Sequence, residues 1–484
     1  MAVSQQNSDI APSTWQVSVV GGTLRKILDD AMAMSVSPDG SLVAFTRAWK
    51  QELWVMSPSG EAPRKLSDAG NRSNYWSVVW SPDGTRLLYM RYDWNRPDLK
   101  VTMETRDVRN GAVTTLLADS RLRSLHWLAD GRILYVLGEP GLSGDTCNYW
   151  ATRMDSATGK FSEQPAQLTH SVGYCMGSTS STSDSKRLVF LKQSHEYSVY
   201  VAGLVPGATS ITPPKHLTLT AAEEFPSAWS PDSKSIIFVS NRDRTWGFYR
   251  QPLNEAPATP IQTGIDSEGL GYIFPRVSPD GKWLIYAAFR TAYEPGNKVD
   301  LLRVPAAGGP TEKILSDAIV DIPRCAQFPA TGCMIATLAD RSHLAFISFD
   351  PVLGRGHELA RFEIEPERFY RWALSPDGHR IAVIKQSTGD IHILSLATGA
   401  AEKITVQHWN NLQSLDWTSD GKGFFTSSLQ PSGVLLHVDF QGRANVLWEP
   451  KGVSMPWAVP SPDGRYVAMP YFAHNSNAWV LENF

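Results

Sequence analysis

A four-residue turn, Ser-Pro-Asp-Gly, recurs along this chain of 484 residues and constrains its fold more than any other feature. Successive copies start 43 to 54 residues apart, so they divide the chain into ten repeats of similar length. Exact copies start at Ser37, Ser81, Ser278, Ser375 and Ser461, variants start at Leu128, Thr182, Ser230 and Thr418, and a degenerate copy starts at Phe328.

Each residue of the turn has a conformational role. Proline sets φ near about −65° at the second position, aspartate bonds neighbouring amides, and glycine adopts the positive φ that a three-residue hairpin needs. Apolar strand formers follow the turn, as in residues 42–46 and 283–288. A third strand, a glycine-containing turn and a fourth strand come next, as in residues 53–56 and 64–66 on either side of Gly60. One repeat therefore contains four short strands.

A period of about 40–50 residues with several short strands per repeat is typical of β-propeller blades. We therefore predict an all-β fold, a β-propeller of four-stranded antiparallel blades. The recurring order of Trp-Ser-Pro-Asp-Gly, an apolar strand, Leu-Trp-Val-Met, glycine and Arg-Lys-Leu resembles the TolB-type WD-like propeller repeat. This resemblance covers residues 15–484. Residues 477–484 also resemble the ends of propellers attached to bacterial winged-helix regulators and kinase-type receptors.

Ten turns predict about ten blades, although propellers usually have four to eight. We expect one large ring, because no linker-like Gly/Ser/Pro stretch divides the repeats, and the alternative is two smaller tandem propellers. Residues 15–27 have the spacing of third and fourth strands, so we expect N-terminal strands to join the last blade and close the ring. The expected domains are a disordered or extended segment at 1–14 and a single propeller at 15–484.

Composition and charge exclude several classes of partner. The net charge of −3 gives no reason to expect nucleic acid. No apolar run reaches the roughly 18 residues that span a bilayer, so we expect no direct membrane insertion. The first 14 residues lack the apolar core of a signal peptide.

The four cysteines allow two interpretations. Cys325 and Cys333 lie equally far from Pro329 in a predicted hairpin and would face each other, and Cys147 and Cys175 lie in consecutive repeats. They are either four buried free thiols or two disulfides formed in an oxidising compartment. No Cys/His spacing of a metal site is present, and we expect no metal and no cofactor.

Catalytic motifs are absent from the sequence. It contains no Gly-x-Ser-x-Gly elbow, zincin, phosphate loop or Rossmann fingerprint. The turn aspartate recurs in repeat after repeat, which favours a structural role over catalysis.

Residues just before each first strand lie on the face opposite the turns, and we expect the binding surface there and at the channel mouth. Aromatic and arginine side chains at these positions suit an interaction hot spot or stacking on sugars, although large aromatics often only cover core. The candidate ligand-binding residues are Tyr75, Trp76, Arg123, Tyr174, Phe225, Tyr272, Arg324, Tyr370, Arg371, His408, Trp409, Trp457 and His474.

These observations favour a non-catalytic sensor or interaction module that binds a protein, peptide or glycan, and we expect a monomer. The alternative is a carbohydrate-active enzyme, a glycan lyase or hydrolase, with its site at the central channel. The TolB-type resemblance implies a binding role. The resemblance to receptor-attached propellers implies a bacterial sensor in the periplasm or another extracytoplasmic space.

Overall fold

The computed structural model of the protein describes most of the chain. The residues outside the description are 1, 8–9, 19, 48–49, 71–72, 94–99, 140–145, 156, 221, 244, 255, 265–273, 289–297, 328, 366–368, 387, 430–432, 451–456 and 483.

Each repeated turn is held by hydrogen bonds from its own side chains. In the first copy the Ser37 hydroxyl donates to the Asp39 carboxylate (2.6 Å), which also accepts the backbone N–H of Ser41 (3.0 Å). The N–H of Leu42 donates back to the Ser37 hydroxyl (2.9 Å). The hydroxyl at the first position and the carboxylate at the third therefore both contribute hydrogen bonds to the turn. Thr182 and Thr418 supply the same hydroxyl in two of the variants, whereas the variant that starts at Leu128 lacks it.

The turn aspartates make the stability of the fold depend on pH in the acidic range. The Ser37 hydroxyl, followed by the Ser41 backbone, lowers the pKa of Asp39 to about 2. Hydroxyl donors likewise lower the pKa of Asp184 and Asp232. A carboxyl whose folded pKa lies below its unfolded value of about 4 stabilises the fold above that value, and this stabilisation is lost as the pH falls through the folded pKa.

We therefore expect the melting temperature to fall between about pH 4 and pH 2, as these carboxylates gain protons. Thermal unfolding followed by circular dichroism measures this fall. The triple variant D39N/D184N/D232N keeps an acceptor oxygen at each turn but cannot titrate, so its melting temperature should fall less over the same range. An equally steep fall in the variant would contradict the assignment.

The described residues form 41 strands. The strands of the first part of the chain are β1 (Ala2–Asn7), β2 (Ile10–Gln16), β3 (Arg25–Leu28), β4 (Met32–Val36), β5 (Val43–Arg47), β6 (Glu52–Met56), β7 (Arg64–Asp68), β8 (Ser73–Trp80), β9 (Arg86–Asp93), β10 (Lys100–Asp107), β11 (Val113–Ala118), β12 (Leu122–Trp127), β13 (Arg132–Gly138), β14 (Cys147–Asp155), β15 (Lys160–Phe161), β16 (Ala166–Gln167), β17 (Cys175–Ser181) and β18 (Arg187–Gly203). The strands that follow are β19 (Lys215–His216), β20 (Glu224–Trp229), β21 (Ser235–Ser240), β22 (Gly247–Pro252), β23 (Thr259–Ile261), β24 (Arg276–Val277), β25 (Trp283–Ala288), β26 (Val299–Pro305), β27 (Glu312–Asp317), β28 (Arg324–Cys325), β29 (Cys333–Asp340), β30 (His343–Asp350), β31 (Gly354–Glu363), β32 (Tyr370–Leu374), β33 (Arg380–Lys385), β34 (Asp390–Ser395), β35 (Ala401–Thr405), β36 (Leu412–Trp417), β37 (Gly423–Ser428), β38 (Val434–Asp439), β39 (Ala444–Trp448), β40 (Val459–Pro460) and β41 (Tyr466–Glu482).

These strands form antiparallel sheets in which sequence neighbours pair. The four-stranded sheets are β4–β7, β8–β11, β20–β23, β24–β27, β28–β31, β32–β35 and β36–β39, and β12–β15 forms a similar sheet with β16 paired to β14. The predicted order of strand, turn, strand, loop, strand, turn and strand is confirmed in each of them. This all-β architecture of four-stranded antiparallel sheets is consistent with a β-propeller.

The strands at the chain ends pair differently from the prediction. N-terminal strands β1, β2 and β3 form a sheet of their own. Strands β40 and β41 pair instead with β18, in a sheet of order β17–β18–β41–β40 that also includes β19. The expected joining of N-terminal strands to the last repeat is therefore wrong, because two 17-residue strands, β18 and β41, are long enough to pair with each other.

The chain divides into two compact units. The first unit comprises Met1–Ser194 and Asn475–Phe484, and the second comprises His195–His474. The residues at the boundary lie inside β18 and β41.

Core clusters join successive sheets within each unit. In the first unit, four clusters combine residues from neighbouring sheets, for example Ile27 with Phe45, Val55 with Tyr89, Leu88 with Tyr135, and Val136 with Met176. In the second unit, six clusters do so, and the sixth joins the β36–β39 sheet to the one containing β40. Their members include Val199 with Trp229, Ile237 with Tyr286, Ile285 with Ile335, Phe346 with Trp372, Ala373 with Trp417, and Phe425 with Val467.

Candidate functional site

The thirteen predicted binding residues are distributed over both units. Tyr75, Trp76, Arg123 and Tyr174 lie in the first unit, and the other nine lie in the second. Tyr272 lies outside the described residues.

Two of the four first-unit candidates are engaged by the protein itself. Tyr75 is buried in a core cluster and its hydroxyl donates to Ser67 (2.8 Å), so its side chain is engaged within the protein. The guanidinium of Arg123 donates to the backbone carbonyl of Ser120 (2.9 Å).

Trp76 and Tyr174 each carry a lysine over the ring. Trp76 is 41% exposed, with the Lys50 ammonium 2.8 Å from its ring centroid. The Lys192 ammonium lies 3.9 Å from the ring centroid of Tyr174. Burial lowers the pKa of Lys50 to about 8.

Three of the second-unit candidates have local surroundings that do not form a common site. Tyr370 is buried in a core cluster, and its hydroxyl accepts the backbone N–H of Glu365 (2.9 Å). Trp409 packs against the core between the β32–β35 and β36–β39 sheets. His408 is exposed and has a positive φ of 66°.

Phe225 and Trp457 do come together, as the sequence predicts. Their ring centroids are 6.2 Å apart and nearly parallel, and Phe274 lies against both, at 6.2 Å from Phe225 and 5.9 Å from Trp457. Trp246 lies 6.0 Å from Phe225. We call Phe225, Trp246, Phe274 and Trp457 the aromatic cluster. Phe225 and Trp457 precede their turns, so the cluster lies at the strand ends opposite the turns.

A second group of rings continues from the aromatic cluster. The His474 ring stacks on that of His195 with centroids 4.6 Å apart, and His195 stacks on Phe472 at 5.7 Å. Tyr197 connects this group to Phe225 through an edge contact at 5.3 Å. Consecutive edge and stacked contacts of this kind hold rings in fixed positions.

The predicted arginines form an ionic group with two aspartates. Arg371 donates to the carboxylate of Asp321 (3.0 Å), and Arg324 lies 4.0 Å from the same carboxylate and 3.5 Å from that of Asp416. Arg324 is only 9% exposed, and its Nε has no hydrogen-bond partner among the described residues. The described carboxylates therefore match these two guanidinium groups only in part.

A cavity of about 450 Å³ lies beside Arg324. All six sheets of the second unit contribute lining residues, and turn residues such as Pro231, Pro279 and Pro462 also line it. The lining residues from the first strands include Ser227, Ala228, Arg276, Val277, Arg324, Cys325, Leu374, Asp416, Val459 and Pro460.

Sequence reasoning missed Phe274, Arg276 and Asp416, although the repeat contains a signal for each. Phe274 lies four residues before its turn, the same position that Arg371 and Trp457 occupy. Arg276 and Asp416 lie two residues before their turns. Most other repeats have a small or apolar residue there, such as Val79, Ala228, Ala373 and Val459, and His126 is a further exception.

The cysteines form two disulfides, which agrees with the second of the two interpretations and contradicts the first, four buried free thiols. Cys147 is bonded to Cys175 and Cys325 to Cys333, with Cα atoms 4.8 and 4.0 Å apart. Cys325 and Cys333 are direct partners across β28 and β29, as the hairpin predicts.

The described part of the chain contains no group of three His, Cys, Asp or Glu side chains placed to hold a metal ion. It also contains no helix long and apolar enough to cross a membrane.

Comparisons with known proteins return structural likeness only. No protein-family model matches the chain, and no curated protein matches it. Among solved structures it is similar to TolB from Acinetobacter baumannii, with a TM-score of 0.39, 16% identity, and coverage of 79% of this chain and 81% of that one. A GH74 enzyme from Niastella koreensis gives a TM-score of 0.37 at 11% identity, with 94% and 78% coverage. A puromycin hydrolase gives 0.31 at 15%, covering 90% of this chain but only 61% of the hydrolase.

Proposed function

We propose that the second unit is a six-bladed propeller and that it serves as a non-catalytic recognition module. Six core clusters support the ring, because each joins one sheet to the next and the sixth returns to the sheet containing β40. The cavity supports it too, because residues from all six sheets line the same space. This arrangement replaces the single ring of about ten blades expected from the turn count, and six lies within the usual range.

We place the recognition surface at the channel mouth opposite the turns. The observation that carries this proposal is the aromatic cluster, in which Phe225, Phe274 and Trp457 from three sheets meet within 6.2 Å. Arg371 is 42% exposed and would lie on the same face, because it occupies the same position before its turn as Phe274 and Trp457. Aromatic and arginine side chains dominate binding hot spots, and the rings are held in place before a ligand arrives.

The ligand we favour is a polypeptide segment with an apolar or aromatic side chain. Such a side chain stacks on Trp457, while a neighbouring polar group reaches Arg371. A glycan would also stack on the rings, and the experiment below separates the two.

The test is to probe the purified full chain against a synthetic peptide array and a glycan array. We expect peptide ligands whose binding falls by about tenfold or more in W457A and in R371A, since hot-spot truncations cost about 2 kcal/mol or more. The matched control is W479A, which removes a half-exposed tryptophan of the first unit and should leave binding unchanged.

Binding that survives W457A and R371A would contradict the mouth as the recognition surface. Ligands found only on the glycan array would overturn the polypeptide assignment. Turnover of any bound glycan would favour the carbohydrate-active enzyme instead.

A further inference from the structure

The cavity at the turn end of the second unit contains charges that its walls do not balance. Arg276, Arg324 and Asp416 are the charged residues that its first strands contribute. Arg276 donates to the backbone carbonyl of Ser227, a neutral acceptor. Arg324 has no partner for its Nε among the described residues, although it is nine-tenths buried. Buried polar groups are normally hydrogen-bonded, and the described residues do not supply an acceptor for every donor of these two guanidinium groups.

The turn aspartates at the rim do not supply the missing negative charge. Asp463 pairs with Arg465 (2.6 Å), and Asp280 lies 3.6 Å from the Lys282 ammonium. Both carboxylates also accept the hydroxyl and amide hydrogens of their own turns. Both aspartates line the cavity, and these local partners compensate their charges.

Among the described residues of this group, the remaining balance is one positive charge. Deeper in the structure, Asp321 is shared by Arg371 and Arg324, while Asp416 lies 3.5 Å from Arg324. Three guanidinium groups thus face two carboxylates, counting Arg276, Arg324 and Arg371 against Asp321 and Asp416. Burial, and next the charge of Arg324, lower the pKa of Arg276 to about 10, so the guanidinium still carries its charge at neutral pH.

We propose that this cavity binds the carboxylate group of a ligand with an apolar body, through the guanidinium groups of Arg276 and Arg324. A carboxylate carries one negative charge and accepts the planar fork of arginine, whereas a phosphate dianion would exceed the balance and be repelled by Asp416. Ala228, Val277, Leu374 and Val459 provide apolar walls. The volume of about 450 Å³ lies within the range of small-ligand sites.

The carboxylate would come from a free small acid or from the end of a polypeptide. None of the residues of the aromatic cluster lines the cavity, so Trp457 belongs to the mouth alone, whereas Arg371 belongs to the mouth and also to the charge balance of the cavity.

Isothermal titration calorimetry on the full chain tests the proposal with two matched pairs of probes. One pair is N-acetyl-leucine and its amide, and the other is acetyl-Gly-Gly-Leu with a free or an amidated end. We expect an acid to bind with a dissociation constant on the order of 1 mM or tighter, and its amide not to bind. If both acids bind, the carboxylate alone is recognised. If only N-acetyl-leucine binds, the ligand is a free small acid, and if only acetyl-Gly-Gly-Leu binds, it is the end of a polypeptide.

Variants assign the binding to this cavity. R276Q and R324K should each weaken binding of the acid by about tenfold or more. R276Q loses the positive charge, and R324K loses the bidentate fork of the guanidinium. R276Q keeps the proposal testable if R324K does not fold. R443Q, at an exposed pair with Asp439, is the matched control and should bind the acid unchanged.

Three results would overturn the proposal: neither acid binds, the amides bind as well as the acids, or R276Q binds the acid unchanged. W457A separates this site from the mouth. W457A should bind the acid unchanged. If W457A lost acid binding while R276Q kept it, the acid would be assigned to the mouth and the cavity would be rejected.

Discussion

Replacing Trp417 with alanine is expected to destabilise the second unit by about 3–5 kcal/mol, as for other large core truncations. Trp417 is 1% exposed and lies in the core between the β32–β35 and β36–β39 sheets. Its ring is 4.5 Å from that of Phe424, the Arg380 guanidinium lies 4.7 Å from its centroid, and its Nε1 donates to the carbonyl of Ala373 (3.2 Å). Alanine loses all of these contacts and leaves a cavity between two sheets.

Urea unfolding followed by circular dichroism measures the loss. Hydrogen exchange of the peptides from β36 to β38 then shows whether the loss of stability is located in the second unit. The control is W479A, whose side chain is half-exposed and contacts only the Lys192 ammonium at 4.8 Å among the ring contacts described, and it should cost less than about 1 kcal/mol. Equal effects in the two variants would show that Trp417 is not a core residue.

Removing Arg242 is expected to cost about 3–5 kcal/mol, because it leaves a buried carboxylate without its cation. Glu224 lies beside Phe225 of the aromatic cluster, its side chain is 1% exposed, and it forms an ion pair with Arg242. Its one other described donor is the Ser240 hydroxyl (3.0 Å). The Arg242 guanidinium also packs over the ring of Tyr249, 4.7 Å from the centroid, so packing adds to the loss.

A double-mutant cycle isolates the charge effect in R242A. The pair R242A/E224A should recover a large part of the stability lost in R242A, since no unpaired charge remains. The matched control is R361A, which removes the partner of Glu358 at an exposed pair and should cost less than about 1 kcal/mol. Urea unfolding measures R242A, E224A, the double variant and R361A, and a double variant no more stable than R242A would contradict the ion pair as the cause.

The local architecture of the repeats was predictable from the sequence because turn chemistry is local. Ser37 forms hydrogen bonds with Asp39 and Gly40 inside the turn, so the local amino-acid sequence specifies the hairpin directly. The direct pairing of Cys325 with Cys333 was predictable for the same reason, since a short hairpin fixes its register.

The division into two units was not predictable from repeat spacing. It depends on β18 and β41, which are more than 250 residues apart in sequence and yet lie side by side in one sheet. The turns before these strands, at Thr182 and Ser461, look like any others. Pairing between distant strands is decided by the packing of whole sheets, which a count of turns does not contain.

The candidate site was predicted in part. Phe225 and Trp457 lie against each other, and Arg324 and Arg371 share Asp321, whereas the sequence predicted one common surface for all four and not these two groups. Tyr75 and Tyr370 occupy similar positions but point into cores. Successive residues of a strand face opposite sides of the sheet, and a bulge such as the one after Trp76 in β8 reverses the side that a residue faces.

An experimentally phased electron-density map of the full chain would test most directly whether six sheets of the second unit surround one channel. We expect six sheets around the space that contains Arg276, Arg324 and Asp416, with β18, β19, β40 and β41 together forming the sixth. A map in which about ten sheets surround a single axis, or in which β40 and β18 belong to different sheets, would contradict the proposed six-bladed ring.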